Sequence, residues 1–297
     1  IAMTKLYPGN LVLSLSSGIM YHRLVDRITA LNDVPREPLV PRRLGKNMCV
    51  PFGKILRGKV VPNTVTKTLH TDKVYEPDLN SFTIEPFPYY SPLKSQIETI
   101  KSFDRPVILV DDLVHTANRL QVLVPQLRED GIPIKKVVVG VLSGYGRDLM
   151  QCLKVPVESI YSMPNLRQWF VESTLYPFIG GDTVRREEMK VAGLQPSINM
   201  ILPYATPRLS GCSREALVEF SACCIENSRD LFQVLEAEYR KMYAKNLTLS
   251  RLSEAVILPL CPDKGSCMEY DENLAASVYL ENDLETLWRM KEFLIKG

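Results

Sequence analysis

Short apolar runs alternate with helical segments between residues 107 and 163. The runs that predict strands are "VILV", "KKVVVGVLSG" and "PVESIYSM", and the segments that predict helices are "ANRLQVLVPQLREDG" and "RDLMQCLK". Strands that are apolar throughout are buried on both faces, which is typical of a parallel sheet with helices on both sides. The alternation therefore predicts an α/β fold with a doubly wound, mostly parallel sheet.

The segments before residue 107 are expected to add to this sheet. The apolar run Leu11–Leu15 predicts a first strand, and a turn at Ser16–Gly18 and a helix with apolar residues every four positions follow it. Residues 33–94 are rich in proline, although "KNMCVPFGKI" and "FTIEPFPYY" predict short strands. Because ligands bind at the carboxyl ends of strands in such sheets, the turns after the strands are the candidate site segments.

The character of the sequence changes after residue 208. Residues 214–245 and 282–297 both have the apolar spacing of amphipathic helices. Two domains are therefore predicted: an α/β domain over residues 1–208, and a mostly helical extension over residues 209–297 to which the sequence assigns no role.

The composition is ordinary for a soluble globular protein, with 45% hydrophobic residues, 24% charged residues and a net charge of +2. No apolar run approaches the ~20 residues of a membrane span, and the start of the sequence lacks the pattern of a signal peptide. Seven irregularly spaced cysteines favour a reducing, cytoplasmic location. Cys261 and Cys267 are compatible with a disulfide or half of a metal site, although the usual spacing and a second ligand pair are missing.

Two adjacent acids, Asp111 and Asp112, end the run "VILV". At the end of a buried strand, such a pair costs free energy through lost hydration and mutual repulsion, so a ligand that offsets the cost is expected. The vicinal hydroxyls of a ribose would offset it, directly or through Mg²⁺. The polar loop that follows precedes a helix, whose first N–H groups lack partners and attract phosphate. This strand end therefore suits a ribose 5-phosphate.

The stretch "VILVDDLVHTANRL" (107–120) resembles the signature of the type I phosphoribosyltransferase family. That signature is a hydrophobic strand, two acids, two apolar-leaning positions and commonly Thr-Gly-X-Thr, and the match is strong up to Thr116. In the order of elements, the resemblance covers about residues 5–180 and implies an α/β domain of the phosphoribosyltransferase type. It also implies that Asp111 and Asp112 hold the ribose hydroxyls of phosphoribosyl pyrophosphate and, indirectly, Mg²⁺.

The resemblance further implies a loop that binds the 5-phosphate, which consists of His115, Thr116, Ala117, Asn118 and Arg119. Ala117 and Asn118 stand where the family prefers glycine, and Arg119 stands where it prefers Thr or Ser. A Cβ at position 117 narrows the approach of phosphate to the backbone. The Arg119 guanidinium can compensate by binding phosphate with two N–H groups, or it can point into solvent.

Residues 38–71 contain seven basic residues and no acid. Three interpretations stay open: a mobile cationic flap over pyrophosphate, a nucleic-acid surface, and a solvated loop whose charges pair with acids elsewhere. We favour the flap, because the family carries one between its first strand and the acid motif. The residues assigned to pyrophosphate are Lys54, Arg57 and Lys59 from this segment, and Ser16, Ser17 and Gly18 from the turn after the predicted first strand.

Other motifs give little support to other classes of protein. The histidines His22, His70 and His115 lack the spacing of a zinc hydrolase, and no GxSxG stretch predicts a serine hydrolase. The stretch "LSGYGRD" (142–148) lacks the third glycine of a dinucleotide fingerprint, so it is interpreted as a turn that shapes the pocket. Response regulators also cluster acids, but normally after the first strand.

The predicted function is the transfer of phosphoribose from phosphoribosyl pyrophosphate to a nitrogen nucleophile, assisted by Mg²⁺. The alternative is a non-catalytic sensor of a phosphoribosyl compound or nucleotide, in which the helical extension reports binding. The expected partner is a phosphorylated ribose or nucleotide-like small molecule, and a homodimer is considered. A membrane or a nucleic acid is not an expected partner, and the sequence does not identify the acceptor.

Overall fold

The computed structural model describes residues 2–186, 191, 193–207, 209, 211–255, 257, 259–264 and 269–296. The chain forms two compact units. The parallel-sheet unit contains Ser14–Asp72 and Ile84–Trp169, and the mixed-sheet unit contains Ile1–Leu13, Lys73–Thr83 and Phe170–Gly297. The boundaries of these two compact units differ from the predicted boundary at residue 208. The division into domains 1–208 and 209–297 stays a prediction.

The helices and strands of the described residues are named in chain order. The strands are β1 (Met48–Pro51), β2 (Val65–Thr66), β3 (Thr71–Tyr75), β4 (Phe82–Pro86), β5 (Val107–Val114), β6 (Ile134–Ser143), β7 (Val157–Met163), β8 (Asp182–Val184), β9 (Gln195–Ile198) and β10 (Leu260–Pro262). The helices are α1 (Ala2–Leu6), α2 (Ser17–Leu31), α3 (Leu93–Lys101), α4 (Asn118–Glu129), α5 (Gly144–Cys152), α6 (Arg214–Tyr243) and α7 (Ala276–Lys296).

The parallel-sheet unit is built on parallel strands in the order β2-β1-β5-β6-β7. Side chains of β5 and β6 alternate between the two faces of this sheet. Ile108 and Val138 pack in one core with α2, whereas Leu109 and Val139 pack in another with α4. Burial on both faces explains why these strands are apolar throughout, and the predicted α/β fold with a mostly parallel sheet is confirmed.

The strand predicted at Leu11–Leu15 is wrong. This segment has no regular secondary structure, and Leu11 and Leu13 are 85% and 57% exposed. A strand needs a neighbour that takes up its N–H and C=O groups, and an apolar pattern alone does not supply one. The first strand of the sheet is instead β1. Ser16, which was predicted to lie in a turn after a strand, caps α2 by accepting the Ile19 N–H.

The mixed-sheet unit combines a second sheet with the C-terminal helices. Its strand order is β10-β9-β8-β3-β4, in which β8 runs antiparallel to β9 and parallel to β3. Phe232 of α6 and Leu280 of α7 lie in one core, which confirms the predicted C-terminal helices. Among the described helices, none is long and apolar enough to cross a membrane. Cys267 lies outside the described residues, and so does the pairing considered for it with Cys261.

Candidate functional site

The two acids lie in the C-terminal half of strand β5, which continues for two residues beyond Asp112, near the carboxyl edge of the parallel sheet. Asp111 is only 8% exposed, and its Oδ1 accepts the N–H of Asp112 at 2.8 Å. Arg119, in the first turn of α4, places its Nη1 3.8 Å from the same oxygen. The strand and the helix after it therefore bring together one buried acid, one half-buried acid and one arginine.

The ionisation of Asp111 is controlled by its burial. Burial raises the pKa of the Asp111 carboxyl to about 7. The positive charge of Arg119 lowers this pKa, and the negative charge of Asp112 raises it, so the two neighbours oppose each other. Near neutral pH, Asp111 therefore exchanges a proton readily, and it can act as a hydrogen-bond donor or only as an acceptor.

Asp112 holds the loop that follows β1, which is a role that the sequence did not predict. This β1 loop, residues 52–59, contains Lys54, Arg57 and Lys59. The Asp112 carboxylate accepts the Lys54 N–H at 2.6 Å through Oδ2 and the Ile55 N–H at 3.0 Å through Oδ1. Since β1 lies next to β5 in the sheet, the acid motif and the basic segment meet at the same edge.

Gly53 makes this contact sterically feasible. A Cβ added at position 53 would lie 2.5 Å from Oδ1 of Asp112 and 2.8 Å from Oδ1 of Asp111. Gly53 and Ile55 were not among the predicted site residues. A glycine two residues after the short apolar strand β1 was the available signal, because such a glycine often marks a close approach of another group to the backbone.

Arg57 and Arg119 form the positive side of the site. Burial and the charge of Arg119 lower the pKa of the Arg57 guanidinium. This guanidinium lies 5.2 Å from the centre of the Phe87 ring, and its buried Nε has no hydrogen-bond partner among the described residues. Two neighbouring guanidinium groups create a positive potential that Asp111 offsets only in its ionised form, so an anion would stabilise them.

The other residues assigned to pyrophosphate are spread more widely. The side chains of Lys54 and Lys59 are exposed on the β1 loop, and Lys59 Nζ lies 4.3 Å from the centre of the Tyr21 ring. Part of the basic segment 38–71 is the sheet itself, since β1 and β2 lie within it. The turn Ser16–Gly18 begins α2 and follows no strand, so the reason for its assignment does not hold, and its role stays a prediction.

The loop between β5 and α4 brings the predicted phosphate residues together. Ala117 is the N-cap of α4, has a left-handed φ of +51° and makes no side-chain capping bond. The Thr116 hydroxyl accepts a hydrogen bond from the Asn118 amide, and His115 Nδ1 lies 2.8 Å from Ser143 Oγ. Glycine adopts a left-handed φ without strain, so the backbone geometry explains why glycine would suit position 117.

The strain at Ala117 is testable by replacing it with glycine. A left-handed φ costs a non-glycine residue ~1–2 kcal/mol, while glycine loses ~0.4–1 kcal/mol through unfolded-chain freedom and about 0.8 kcal/mol through the buried methyl group. Ala117→Gly is therefore expected to change the free energy of unfolding by less than about 0.5 kcal/mol in urea titrations. It should also strengthen binding of ribose 5-phosphate, because no Cβ then obstructs the loop.

Ala237, an exposed residue in the interior of α6, provides the control. Ala237→Gly is expected to cost about 1 kcal/mol, the usual cost of glycine inside a helix. If Ala117→Gly costs more than Ala237→Gly, the left-handed residue carries no strain that glycine relieves.

No family model matches the chain, and no curated protein matches it. The solved structures to which it is similar include a purine phosphoribosyltransferase from Pyrococcus horikoshii Ot3, with 11% identity, a TM-score of 0.29 and coverage of 52% of this chain and 94% of that one. They also include a mutant hypoxanthine phosphoribosyltransferase from Trypanosoma cruzi, complexed with the product IMP. Its identity is 17% and its TM-score 0.29, with coverage of 54% of this chain and 80% of that one.

Proposed function

We propose that this protein binds phosphoribosyl pyrophosphate and transfers its phosphoribosyl group to a nitrogen nucleophile. The observation that carries the proposal is the set of opposite charges at the carboxyl edge of β1 and β5. Asp111 and Asp112 lie there beside Arg57 and Arg119. The hydroxyls of a ribose suit the acids, and its phosphates suit the arginines, so a phosphorylated sugar uses both halves of the site.

The two acids would bind and orient the ribose hydroxyls. A carboxylate has about four acceptor positions, so Asp112 can accept a hydroxyl in addition to the N–H groups of Lys54 and Ile55. Asp111 accepts hydroxyls best when ionised, which its pKa of about 7 permits above neutral pH. The proposed function therefore implies stronger ribose binding as the pH rises through neutrality.

The basic side chains of the site would bind the phosphate groups and stabilise their negative charge. Transfer breaks the bond between ribose C1 and pyrophosphate and forms a bond between C1 and the nitrogen, whose proton leaves to solvent. Negative charge grows on the departing pyrophosphate, and positive groups close to it lower the barrier. Lys54, Arg57 and Lys59 of the β1 loop would supply this charge. The N–H groups at the start of α4 and the Arg119 guanidinium would hold the 5-phosphate.

Mg²⁺ is part of the proposal, and the donor set fits it. Proteins commonly bind this ion through one or two carboxylates together with substrate phosphates, and Asp111 and Asp112 would hold it indirectly, through the ribose hydroxyls. When bound, Mg²⁺ would supply further positive charge to the pyrophosphate. Across the part of the chain that the structure describes, no group of three or more His, Cys, Asp or Glu residues could hold a metal ion.

The decisive experiment is to measure release of pyrophosphate from phosphoribosyl pyrophosphate, with Mg²⁺ and a panel of heterocyclic bases. Base-dependent release, lost when Arg57 is replaced by alanine, would support the transferase. The second candidate is a non-catalytic sensor. It is motivated by Asp112, because the carboxylate that would hold ribose already accepts two N–H groups of the β1 loop. Binding without release would support the sensor, and absence of binding would contradict both.

The role of Arg119 leads to a separate prediction. Arg119→Ala is expected to weaken binding of ribose 5-phosphate by about 1.5–3 kcal/mol, the range for a hydrogen bond to a charged group. Arg119→Thr should recover part of the loss, because a hydroxyl also donates to phosphate. Isothermal titration calorimetry measures both changes.

Arg128 provides a control on the same helix. It lies in the last turn of α4, where its Nη2 donates to the carbonyl oxygens of Leu153 and Lys154. Arg128→Ala should leave ribose 5-phosphate binding unchanged. If Arg119→Ala also binds as the parent does, Arg119 lies outside the phosphate site.

A further inference from the structure

The turn between β6 and α5 places a buried serine beside the predicted phosphate loop. Ser143 ends β6, is 1% exposed and caps α5, where its Oγ accepts the N–H of Gly146 at 2.9 Å. The same Oγ lies 2.8 Å from Nδ1 of His115. The stretch "LSGYGRD", interpreted above only as a turn that shapes the pocket, thus contacts a predicted site residue directly.

Glycine explains how α5 comes so close to the loop. A Cβ added to Gly146 would lie 2.3 Å from the carbonyl oxygen of Val114, the residue before His115. The start of α5 therefore packs directly on the end of β5. The ring of Tyr145 adds a second contact, since its centre lies 5.8 Å from the centre of the His115 ring. The start of α5 therefore contacts the His115 side chain through both Ser143 and Tyr145.

In the contact between Ser143 and His115, the group that has a hydrogen left to donate is the serine hydroxyl. A serine hydroxyl has one hydrogen to donate, and the bond from the Gly146 N–H uses only an oxygen lone pair. Among the described residues, His115 Nδ1 is the acceptor within hydrogen-bond distance of the Ser143 Oγ. A buried hydroxyl that donates to nothing costs free energy, so donation to Nδ1 is the favoured arrangement. A neutral imidazole that accepts at Nδ1 carries its own hydrogen on Nε2.

We propose that Ser143 is a positioning residue that fixes His115 in the Nε2–H tautomer, and that this N–H group donates to the phosphate of the ligand. The part that concerns phosphate rests on the proposed function, whereas the tautomer is a property of the free protein. Ser143 thereby adds a side-chain donor to the backbone N–H groups at the start of α4. Such fixed donors bind an anion without a further cost of orientation.

The tautomer is measured in the free protein by nitrogen-15 NMR of the histidine rings at about pH 8.5, where an ordinary imidazole is neutral. The His115 signal is identified by its loss in His115→Gln. The parent and Ser143→Thr, which keeps the hydroxyl, are expected to show the hydrogen on Nε2. Ser143→Ala should show a mixture of tautomers. A parent protein with the hydrogen on Nδ1 would overturn the proposal.

The effect on the ligand is measured as ribose 5-phosphate affinity. Ser143→Ala is expected to lower it about two- to tenfold, the effect of one ordinary hydrogen bond, and Ser143→Thr should restore it. His115→Ala should cause an equal or larger loss, because it removes the donor altogether, and the double variant should lose no more than His115→Ala, because Ser143 acts only through His115.

The control for the lost helix cap is Ser213→Ala. Ser213 caps α6 by accepting the Ala216 N–H at 3.1 Å, so this variant loses a cap of the same kind without touching His115. Losses that add in the double variant, or unchanged affinity in Ser143→Ala, would overturn the positioning role. If the parent does not bind ribose 5-phosphate, the proposed function and the phosphate contact both fail, and the NMR result alone decides whether Ser143 fixes the tautomer.

Discussion

Asp111→Asn is expected to stabilise the fold at alkaline pH while lowering the affinity for phosphoribosyl pyrophosphate about 10- to 100-fold. Burial raises the Asp111 pKa to about 7, whereas an aspartate in an unfolded chain titrates near 3.9. Between about pH 4 and pH 7, the folded protein therefore keeps a proton that the unfolded chain has lost. The contribution of Asp111 to the free energy of unfolding falls over this interval by on the order of 4 kcal/mol and changes little above it.

Urea unfolding at acidic and alkaline pH measures this effect. Relative to the parent, Asp111→Asn should become more stable as the pH rises towards neutrality, because the variant lacks the buried group whose ionisation opposes folding. Asparagine keeps an oxygen that can accept the Asp112 N–H, so the local structure should be preserved. The loss of affinity has a different origin, because asparagine offers the ribose hydroxyls no negative charge.

Asp112→Asn is the matched control, because the neighbouring acid should respond in the opposite direction. Its carboxylate accepts the N–H groups of Lys54 and Ile55, and an amide has one oxygen to offer them instead of two. Asp112→Asn is expected to cost about 1–3 kcal/mol at neutral pH. A stability gain in both variants, or a loss in both, would contradict this division of roles between the two acids.

Gly53→Ala is expected to cost about 2–3 kcal/mol of stability and most of the binding, although it adds one methyl group. The new Cβ would lie within 2.8 Å of carboxylate oxygens of both Asp111 and Asp112. The β1 loop would have to move away, and both N–H contacts to Asp112 would weaken. Urea unfolding and calorimetry with phosphoribosyl pyrophosphate measure the two losses.

Gly58, on the same loop, separates this collision from a general effect of alanine. A Cβ at position 58 would have no atom within 4 Å, although its φ of +70° disfavours a side chain. Gly58→Ala should therefore cost about 1 kcal/mol, from its left-handed φ alone, and leave binding intact. Equal losses at positions 53 and 58 would show that the acids do not depend on the close approach of Gly53.

The sheet was predictable where burial leaves a local pattern. β5 and β6 are apolar on both faces because α2 and α4 cover them. Continuous apolar runs in the sequence indicate such burial on both faces. The run Leu11–Leu15 has a similar composition but remains exposed without a strand partner. The composition of a segment indicates that it can form a β-strand, whereas strand pairing depends on which other strand lies beside it.

The site was predictable only within one strand and the loop after it. The acids and the residues after them are neighbours in sequence, so their shared location needed no knowledge of topology. The contact between Asp112 and the β1 loop joins residues separated by more than fifty positions, and it exists because β1 and β5 are adjacent in the sheet. As a serine directly before a helix, Ser143 was recognisable in the sequence as a helix cap. Its contact with His115 was not predictable, because it depends on β5 and β6 being neighbours in the sheet.

The mixed-sheet unit is assembled from stretches that the ribosome produces at different times. Ile1–Leu13 is made before the parallel-sheet unit and Phe170–Gly297 after it, yet Leu6 of α1 belongs to the same core as Phe220 of α6. The residues of the parallel-sheet unit are all made in between, and domains generally fold as units during synthesis. The β1 loop, the acid pair and Ser143 can thus come together before α6, the helix that packs with α1, has been made. The mixed-sheet unit therefore begins earlier in the chain than the parallel-sheet unit, but it can be completed only later.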